Sequence, residues 1–327
     1  MAADLHESLP VTATATTEEQ VATLTCGAFA QELIQHQIRK LGKLQGEVLA
    51  NRDPEPLHQL RVSLRRLRTA LDQFAPALDL PNGVSQRRIG SVARRTGLCR
   101  DLDVLEQRLR LEILPKLPEG EQHTLKRAMR WLAEDRAKAF ATLQDALQGS
   151  RYLKLLARLS RWQKQPSFTP LGLLPMLPWL SDWQAPFTVA LFLHPGWLVE
   201  DPFSETLHDL RKCIKRARYA MENLEAWCSP PLLDWIEDLR QAQDHLGNLH
   251  DLQILQSSFR KDERLWATSQ MPVMRAELVS LQRLHWLQWR KLALRMHQVG
   301  NRHAIQHQLQ MLGRESAMGE DPPPSVF

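Results

Sequence analysis

The 327-residue chain lacks the features that mark several common classes of protein. Its four cysteines form no C-x-x-C pair, so we expect free thiols in a reducing compartment rather than a disulfide framework or a zinc site. No apolar run is long enough to span a membrane, because four prolines interrupt the most apolar segment, 171–199. The first ten residues carry early acids and no apolar centre, which is unlike a secretory signal. A cytoplasmic protein with no membrane segment is therefore expected.

The sequence also lacks the short motifs that identify many enzymes and metal proteins. It contains no P-loop, no G-x-S-x-G, no H-E-x-x-H and no glycine-rich dinucleotide turn. His245 and His250 do not share a helical face well, and His303 and His307 have no third ligand nearby. We therefore expect no cofactor, no metal ion and no catalytic residues.

The charge of the chain is nearly balanced overall. Lys and Arg number 42 against 37 Asp and Glu, and the pI is about 9.2. A net charge of +5 is weak evidence for an anionic partner, so the interpretation depends on where the basic residues cluster.

Apolar residues recur at three- and four-residue steps along most of the chain, a spacing typical of amphipathic helices. No segment of useful length alternates with the two-residue period of a strand, so the predicted fold class is all-α. Segment 164–203 differs because it holds seven prolines and three tryptophans, and we interpret it as a long, partly ordered connector. Helices are predicted over 18–50, 54–75, 84–96, 99–114, 120–147, 150–163, 204–227, 231–246, 248–265, 272–299 and 302–313.

One sixteen-residue pattern occurs twice, 150 positions apart. The first copy, L-H-Q-L-R-V-S-L-R-R-L-R-T-A-L-D, spans 57–72, and the second, L-H-D-L-R-K-C-I-K-R-A-R-Y-A-M-E, spans 207–222. A second element, G-x-x-x-D-L, recurs at 97–102 and 247–252 with the same offset. Two elements repeated in order predict an internal duplication, with two pseudo-symmetric four-helix bundles side by side.

These patterns predict the organisation of the whole chain. A single helical domain is flanked by a flexible leader and a disordered, proline-rich tail. The predicted boundaries are 1–17 for the leader, 18–163 for the first helical repeat, 164–203 for the connector, 204–313 for the second repeat, and 314–327 for the tail.

In each copy of the long pattern the basic residues form a column along one helical face. At about 100° per residue, the first column falls within an arc of roughly 80°, beside a stripe of leucines suited to a bundle core. Three further basic residues, Arg66, Arg216 and Lys212, lie off the columns. The columns are His58, Arg61, Arg65, Arg68 and Asp72 in the first copy, and His208, Arg211, Lys215, Arg218 and Glu222 in the second.

Stacked like charges repel one another, so two matched basic columns need a reason. We interpret them as the surface for a polyanion, since the arginine guanidinium donates two hydrogen bonds in parallel to phosphate oxygens and histidine donates as well. Asp72 and Glu222 are expected to orient the arginine four residues earlier. Asp101 and Asp251 are expected to cap helices or pair with the column arginines.

At these residues the sequence resembles the CHAD family, the conserved histidine α-helical domain. The resemblance rests on H-x-x-R-x-x-x-R-R-x-R at 58–68, H-x-x-R-x-x-x-K-R-x-R at 208–218 and the two G-x-x-x-D-L elements, and it covers roughly 18–313. It implies two four-helix bundles whose basic residues bind inorganic polyphosphate. The implied ligands are His58, Arg61, Arg65, Arg66, Arg68, His208, Arg211, Lys215, Arg216 and Arg218, to which we add Lys212.

Many members of that family also carry a triphosphate-tunnel (CYTH) domain with an E-x-E-x-K motif, which this chain lacks. The resemblance therefore implies a stand-alone, non-catalytic polyphosphate-binding protein that targets polyphosphate granules and accepts other phosphate-rich polyanions. Two alternatives stay open: a nucleic-acid-binding helical protein, and a phosphate-transfer or phosphohydrolase enzyme that uses His58 or His208.

Overall fold

The computed structural model describes residues 24–261 and 270–312. Eleven α-helices account for most of these residues, and the described part of the chain contains no β-strand, only two isolated β-bridges. The all-α prediction is confirmed. The predicted leader and tail lie outside the described residues, and so does 18–23 of the first predicted helix.

The eleven helices are numbered here in chain order. They are α1 Cys26–Ala50, α2 Glu55–Gln73, α3 Gln86–Arg95, α4 Gly97–Arg108, α5 Glu119–Gln148, α6 Ser150–Lys164, α7 Leu180–Phe192, α8 Glu205–Glu222, α9 Pro230–Lys261, α10 Pro272–His297 and α11 Val299–Gln310.

Local sequence signals account for the starts of the helices that carry the two basic columns. Helix α2 follows Pro54, and the Asp53 carboxylate accepts a hydrogen bond of 2.6 Å from the Glu55 backbone N–H. Helix α8 is capped by Ser204, whose hydroxyl accepts from the Thr206 backbone N–H at 3.2 Å. Both columns therefore begin one turn inside a well-defined helix.

The helix order repeats along the chain at the 150-residue offset. Helix α8 follows α2, α10 follows α5 and α11 follows α6 at this spacing, while the stretch of α3 and α4 corresponds to the single helix α9. This order agrees with two related halves, and the internal duplication itself stays a prediction. One helix was predicted as two, because Gly247 was treated as a break and instead lies inside α9.

Segment 164–203 is more ordered than the sequence pattern predicts. It contains α7 and three short 3₁₀ turns, and the side chains of Trp183 and Trp197 are buried in the core. Helix α7 occupies the position in the second half that α1 occupies in the first. The prediction missed it because Pro186 lies inside the helix and other prolines crowd both ends.

The two halves meet at two junctions. At the first, α2 packs on α8 within the main core. At the second, apolar side chains of α5, including Leu125 and Leu132, share a smaller core with Phe259 of α9 and Met274 of α10. The Glu121 carboxylate also accepts from the backbone N–H of Met274, at 2.9 Å, at the start of α10. The basic columns belong to the first junction.

None of the described helices is both long enough and apolar enough to cross a membrane.

Candidate functional site

Helices α2 and α8 are joined by reciprocal contacts between equivalent residues. Arg66 of α2 pairs with Glu222 of α8 at 3.1 Å, and Arg216 of α8 pairs with Asp72 of α2 at 2.7 Å. Just beyond, the Asn223 amide donates to Gln73 Oε1 at 2.9 Å, and these two residues occupy equivalent positions at the 150-residue offset. Such an exchange of partners relates the two helices by an approximate twofold axis, as in an isologous interface.

The two column acids therefore have different partners. Glu222 accepts from Arg218 at 2.8 Å, which confirms the expected contact with the arginine four residues earlier. The same expectation is wrong for Asp72, because its partner is Arg216 across the junction. Arg68 instead donates from Nε to the Gln86 side chain on α3 at 2.8 Å. For Asp72 and Arg68 the partner comes from a neighbouring helix, which the local spacing of the sequence cannot reveal.

The two repeated sequence elements meet in space, because an arginine of one packs on the glycine of the other. A Cβ placed on Gly97 would lie 3.3 Å from Arg61 Nη1, and one on Gly247 would lie 3.4 Å from Arg211 Nη2. Arg61 Nη1 also donates to the Ala93 carbonyl at 2.9 Å and to Thr96 Oγ1 at 3.1 Å. Each glycine leaves room for a guanidinium against the helix backbone.

The two columns converge at their middle positions. Arg65 of α2 lies close enough to Arg211 and Lys215 of α8 for its charge to lower the pKa of both. Burial is the larger cause, and the pKa of Lys215 falls well below its usual range because burial and the neighbouring arginines act in the same direction. The Arg65 side chain forms no ion pair or hydrogen bond with any residue that the structure describes.

Carboxylates offset only part of this positive charge. Asp101 and Asp251 lie inside α4 and α9, so neither caps a helix, and of the two expected roles the interaction with the column arginines is the one that remains. Each acts electrostatically on the column arginine of its own half: Asp101 opposes the lowered pKa of Arg61, and Asp251 that of Arg211. Burial still prevails for Arg61, whose pKa falls to about 10.

Two histidines face each other at the start of the second column. The rings of His208 and His250 are 4.2 Å apart between centroids and tilted by 30°. Burial and the positive charges of Arg211, Lys212 and Lys215 lower the pKa of both, that of His250 to about 4. Both shifts favour the neutral form of the ring, and His208 Nδ1 is buried with no hydrogen-bond partner among the described residues.

The structure adds basic residues that the sequence analysis missed. Arg100 on α4 and His250 on α9 occupy equivalent places, directly before the aspartate of each G-x-x-x-D-L element. The sequence itself shows a basic residue directly before the aspartate in both copies of this element. Arg108 is a further case: its guanidinium reaches from α4 across to the Asn248 carbonyl, at 3.5 Å, and to the Asn248 side chain.

The predicted ligands divide into two groups. Those that the structure holds in ion pairs are Arg66, Arg216, Arg218 and Lys212, the last with Asp209 at 2.8 Å. The middle of the two columns holds Arg61, Arg65, Arg211 and Lys215. Arg68 contacts α3, and the first positions of the columns are His58 and His208.

A cavity between the two halves, formed by the described residues, does not coincide with the predicted ligand surface. Its volume is about 1570 Å³, and it lies between α4 and α5 on one side and α8 and α9 on the other. His208 and Lys212 are the only predicted ligands in its wall, which also holds apolar Leu98 and Ile254 and several carboxylates. No group of three or more His, Cys, Asp or Glu side chains among the described residues is placed to hold a metal ion.

Comparison with known proteins gives one family and related folds. The family model described as CHAD domain matches residues 32–260. The crystal structure of the CHAD domain from the plant Ricinus communis is 22% identical, with a TM-score of 0.61, and the match covers 89% of this chain and 93% of that one. PptA from Streptomyces chartreusis is 18% identical, with a TM-score of 0.58 and coverages of 82% and 99%. No curated protein matches the chain significantly in sequence.

Proposed function

Because the chain belongs to the CHAD domain family, we propose that it binds inorganic polyphosphate along the basic residues of α2 and α8 and catalyses no reaction. The family model matches most of the chain and includes both copies of the repeated pattern. The resemblance in the two basic patterns implies the ligand, and the geometry of the columns supports it.

The observation that carries the proposal is the convergence of Arg65, Arg211 and Lys215 from two different helices. Like charges brought together in a buried place destabilise one another, and burial together with the charges of Arg211 and Arg65 lowers the pKa of Lys215. A linear polyanion would reverse the effect, because each phosphate restores a favourable partner to the cations around it. A single chain lying across the junction would contact both columns at once.

The arginines also suit phosphate in their preorganisation. Arg61 is fixed by Gly97, the Ala93 carbonyl and the Thr96 hydroxyl, while Arg211 packs on Gly247. A side chain that is already ordered loses less conformational entropy when it binds. Binding of this kind is mainly electrostatic, so the affinity is expected to fall with added salt and to rise with the length of the polyphosphate chain.

In this proposal the protein is a cytoplasmic binding module that associates with polyphosphate granules. A fluorescent fusion is expected to colocalise with granules in cells that store polyphosphate. A diffuse signal in cells with visible granules would contradict that part of the proposal.

One binding experiment separates the proposal from its two alternatives. Long-chain polyphosphate and double-stranded DNA are compared at equal phosphate concentration across a salt series, and released phosphate is assayed alongside. We expect tighter binding of polyphosphate and no phosphate release. DNA binding of equal strength would favour a nucleic-acid-binding protein, and metal-dependent phosphate release would favour an enzyme.

The placement of the ligand is tested by the double variant Arg61→Ala/Arg211→Ala. We expect it to weaken polyphosphate binding by a factor of roughly 100 while the helical circular dichroism stays unchanged, because two charge-assisted contacts are lost. The control is Arg39→Ala/Arg283→Ala, which removes the same charge from exposed positions of α1 and α10. An equal loss in both variants would contradict the assigned site.

A further inference from the structure

Helix α3 presents an unusual concentration of positive charge. Its ten residues include four arginines and no acid, namely Arg87, Arg88, Arg94 and Arg95. All four are exposed, and none of their side chains forms an ion pair or hydrogen bond with another residue of the described part of the chain. The sequence analysis did not assign this helix to the ligand surface.

The equivalent stretch of the second half has the opposite charge. At the 150-residue offset, exposed Arg87 and Arg94 correspond to exposed Glu237 and Asp244 of α9. The two stretches bury the same positions, since Ile89, Val92 and Thr96 correspond to Leu239, Ala242 and Leu246, all of which are buried. The structural frame is therefore shared, and the charge on its outer surface is reversed.

Helix α3 lies directly beside the first basic column. Arg68 bonds to Gln86 and packs on Gly90, and Arg61 bonds to the Ala93 carbonyl farther along the same helix. At about 100° per residue, Arg87 and Arg94 lie within about 60° of Gly90 around the helix axis, and they are about 10 Å apart along it. A ligand in contact with Arg68 is thus within reach of this second row of arginines.

We infer that a polyphosphate chain longer than the α2–α8 surface continues over α3, where Arg87 and Arg94 bind it, and not over the equivalent stretch of α9. This inference rests on the proposed function and deepens it by stating over which half of the protein the bound chain extends. The row on α3 attracts each further phosphate, whereas the equivalent positions on α9 offer no such attraction, because they carry Asp244 and Glu237, the latter paired with Arg240 at 2.6 Å. The advantage of long chains over short ones then comes from one half of the protein.

The test compares tripolyphosphate with long-chain polyphosphate on the full chain. Arg87→Ala/Arg94→Ala is expected to weaken long-chain binding roughly tenfold and to lower the log–log salt slope by about two, because two phosphate contacts are lost. Tripolyphosphate affinity is expected to stay within about twofold, since a short chain stays on the central columns. The matched control is Arg88→Ala/Arg95→Ala, which removes the same charge from another face of the same helix and is expected to have a smaller effect.

A second variant tests for a gain of affinity, in case the loss of long-chain affinity in Arg87→Ala/Arg94→Ala is small. Glu237→Arg/Asp244→Arg supplies the missing row on α9, and long-chain affinity is expected to rise. The inference is overturned if Arg87→Ala/Arg94→Ala leaves long-chain binding unchanged, matches the control variant, or weakens tripolyphosphate equally. If Arg61→Ala/Arg211→Ala still weakens binding by a factor of roughly 100 in that case, the proposed function stands and only the inference fails. If the unmodified protein binds neither probe, both fall.

Discussion

At the scale of single residues, the most informative contact is that of an arginine with a helical glycine. Arg61 rests on Gly97 and Arg211 rests on Gly247, so two motifs that are distant in sequence form one structural unit. The sequence predicted each motif separately. It did not predict their contact, because periodicity reports the face of a helix and not the neighbour that the face meets.

The fit at Gly247 leads to a prediction about substitution size. The Cβ of Gly247→Ala makes an ordinary contact 3.4 Å from Arg211, so we expect little change in polyphosphate affinity. Because alanine favours the helix, the unfolding free energy is expected to rise by up to about 1 kcal/mol. Gly247→Leu must displace the guanidinium, so its affinity is expected to fall as far as that of Arg211→Ala. Urea unfolding and a polyphosphate titration measure the two effects.

Gly46 of α1 provides the matched control, because a Cβ there would meet nothing within 4 Å. Both Gly46→Ala and Gly46→Leu are expected to leave polyphosphate affinity unchanged. Wild-type affinity in Gly247→Leu would show that the position of Arg211 does not matter for binding.

The histidine pair predicts how binding depends on pH. His250 has a pKa of about 4 in the free protein, and a nearby polyanion stabilises the protonated ring and so raises that pKa. The bound state then holds more protons than the free state, so affinity is expected to increase as the pH falls from 7 towards 5. The increase ends near pH 4, where the free protein is itself protonated.

Titrations at several pH values, performed on the unmodified protein and on His250→Gln, measure this effect. The variant is expected to show a weaker pH dependence, while His123→Gln, at an exposed position of α5, is expected to behave like the unmodified protein. An identical pH profile in all three proteins would exclude His250 as the source of the dependence.

At the scale of elements, most helices could be predicted from the sequence, but the helices against which they pack could not. Leucine spacing in α2 and the repeated pattern in α8 gave helices at nearly the observed bounds. Helix α7 was missed because Pro186 and the neighbouring prolines conceal its periodicity, although Trp183 and Phe187 bury it in the core. The cross-junction pairing of Arg66 and Arg216 was also missed, since it depends on the packing of α2 against α8.

The reciprocal pairs between α2 and α8 predict unequal contributions to stability. The Glu222 side chain is 5% exposed and lies between Arg66 and Arg218, so Glu222→Ala removes the partner of a buried guanidinium and is expected to lower the unfolding free energy by about 3 kcal/mol. Asp72 is 28% exposed and its partner Arg216 is 59% exposed, so Asp72→Ala is expected to lower it by less than about 1 kcal/mol.

Urea unfolding of the two variants tests this difference, and each serves as the control for the other because positions 72 and 222 are equivalent in the repeated pattern. Equal losses would mean that burial does not distinguish the two junction acids.

At the scale of the whole molecule, a net charge of only +5 conceals a strong local separation of charge. Basic residues concentrate on α2, α3 and α8, whereas the stretch of α9 equivalent to α3 carries Glu237, Asp238 and Asp244. Composition therefore could not reveal the candidate surface. The repeated pattern could, because it placed cations at matching positions in both halves, and the structure then brought Arg65 next to Arg211 and Lys215.

In the proposed function, both columns hold one polyphosphate chain. Isothermal titration with an oligophosphate of uniform length, performed on the unmodified protein, Arg65→Ala and Lys215→Ala, measures how many chains bind. We expect one chain bound per protein molecule, with each substitution lowering the affinity of that single site. Two chains per molecule, with each substitution weakening only one of them, would contradict the shared site.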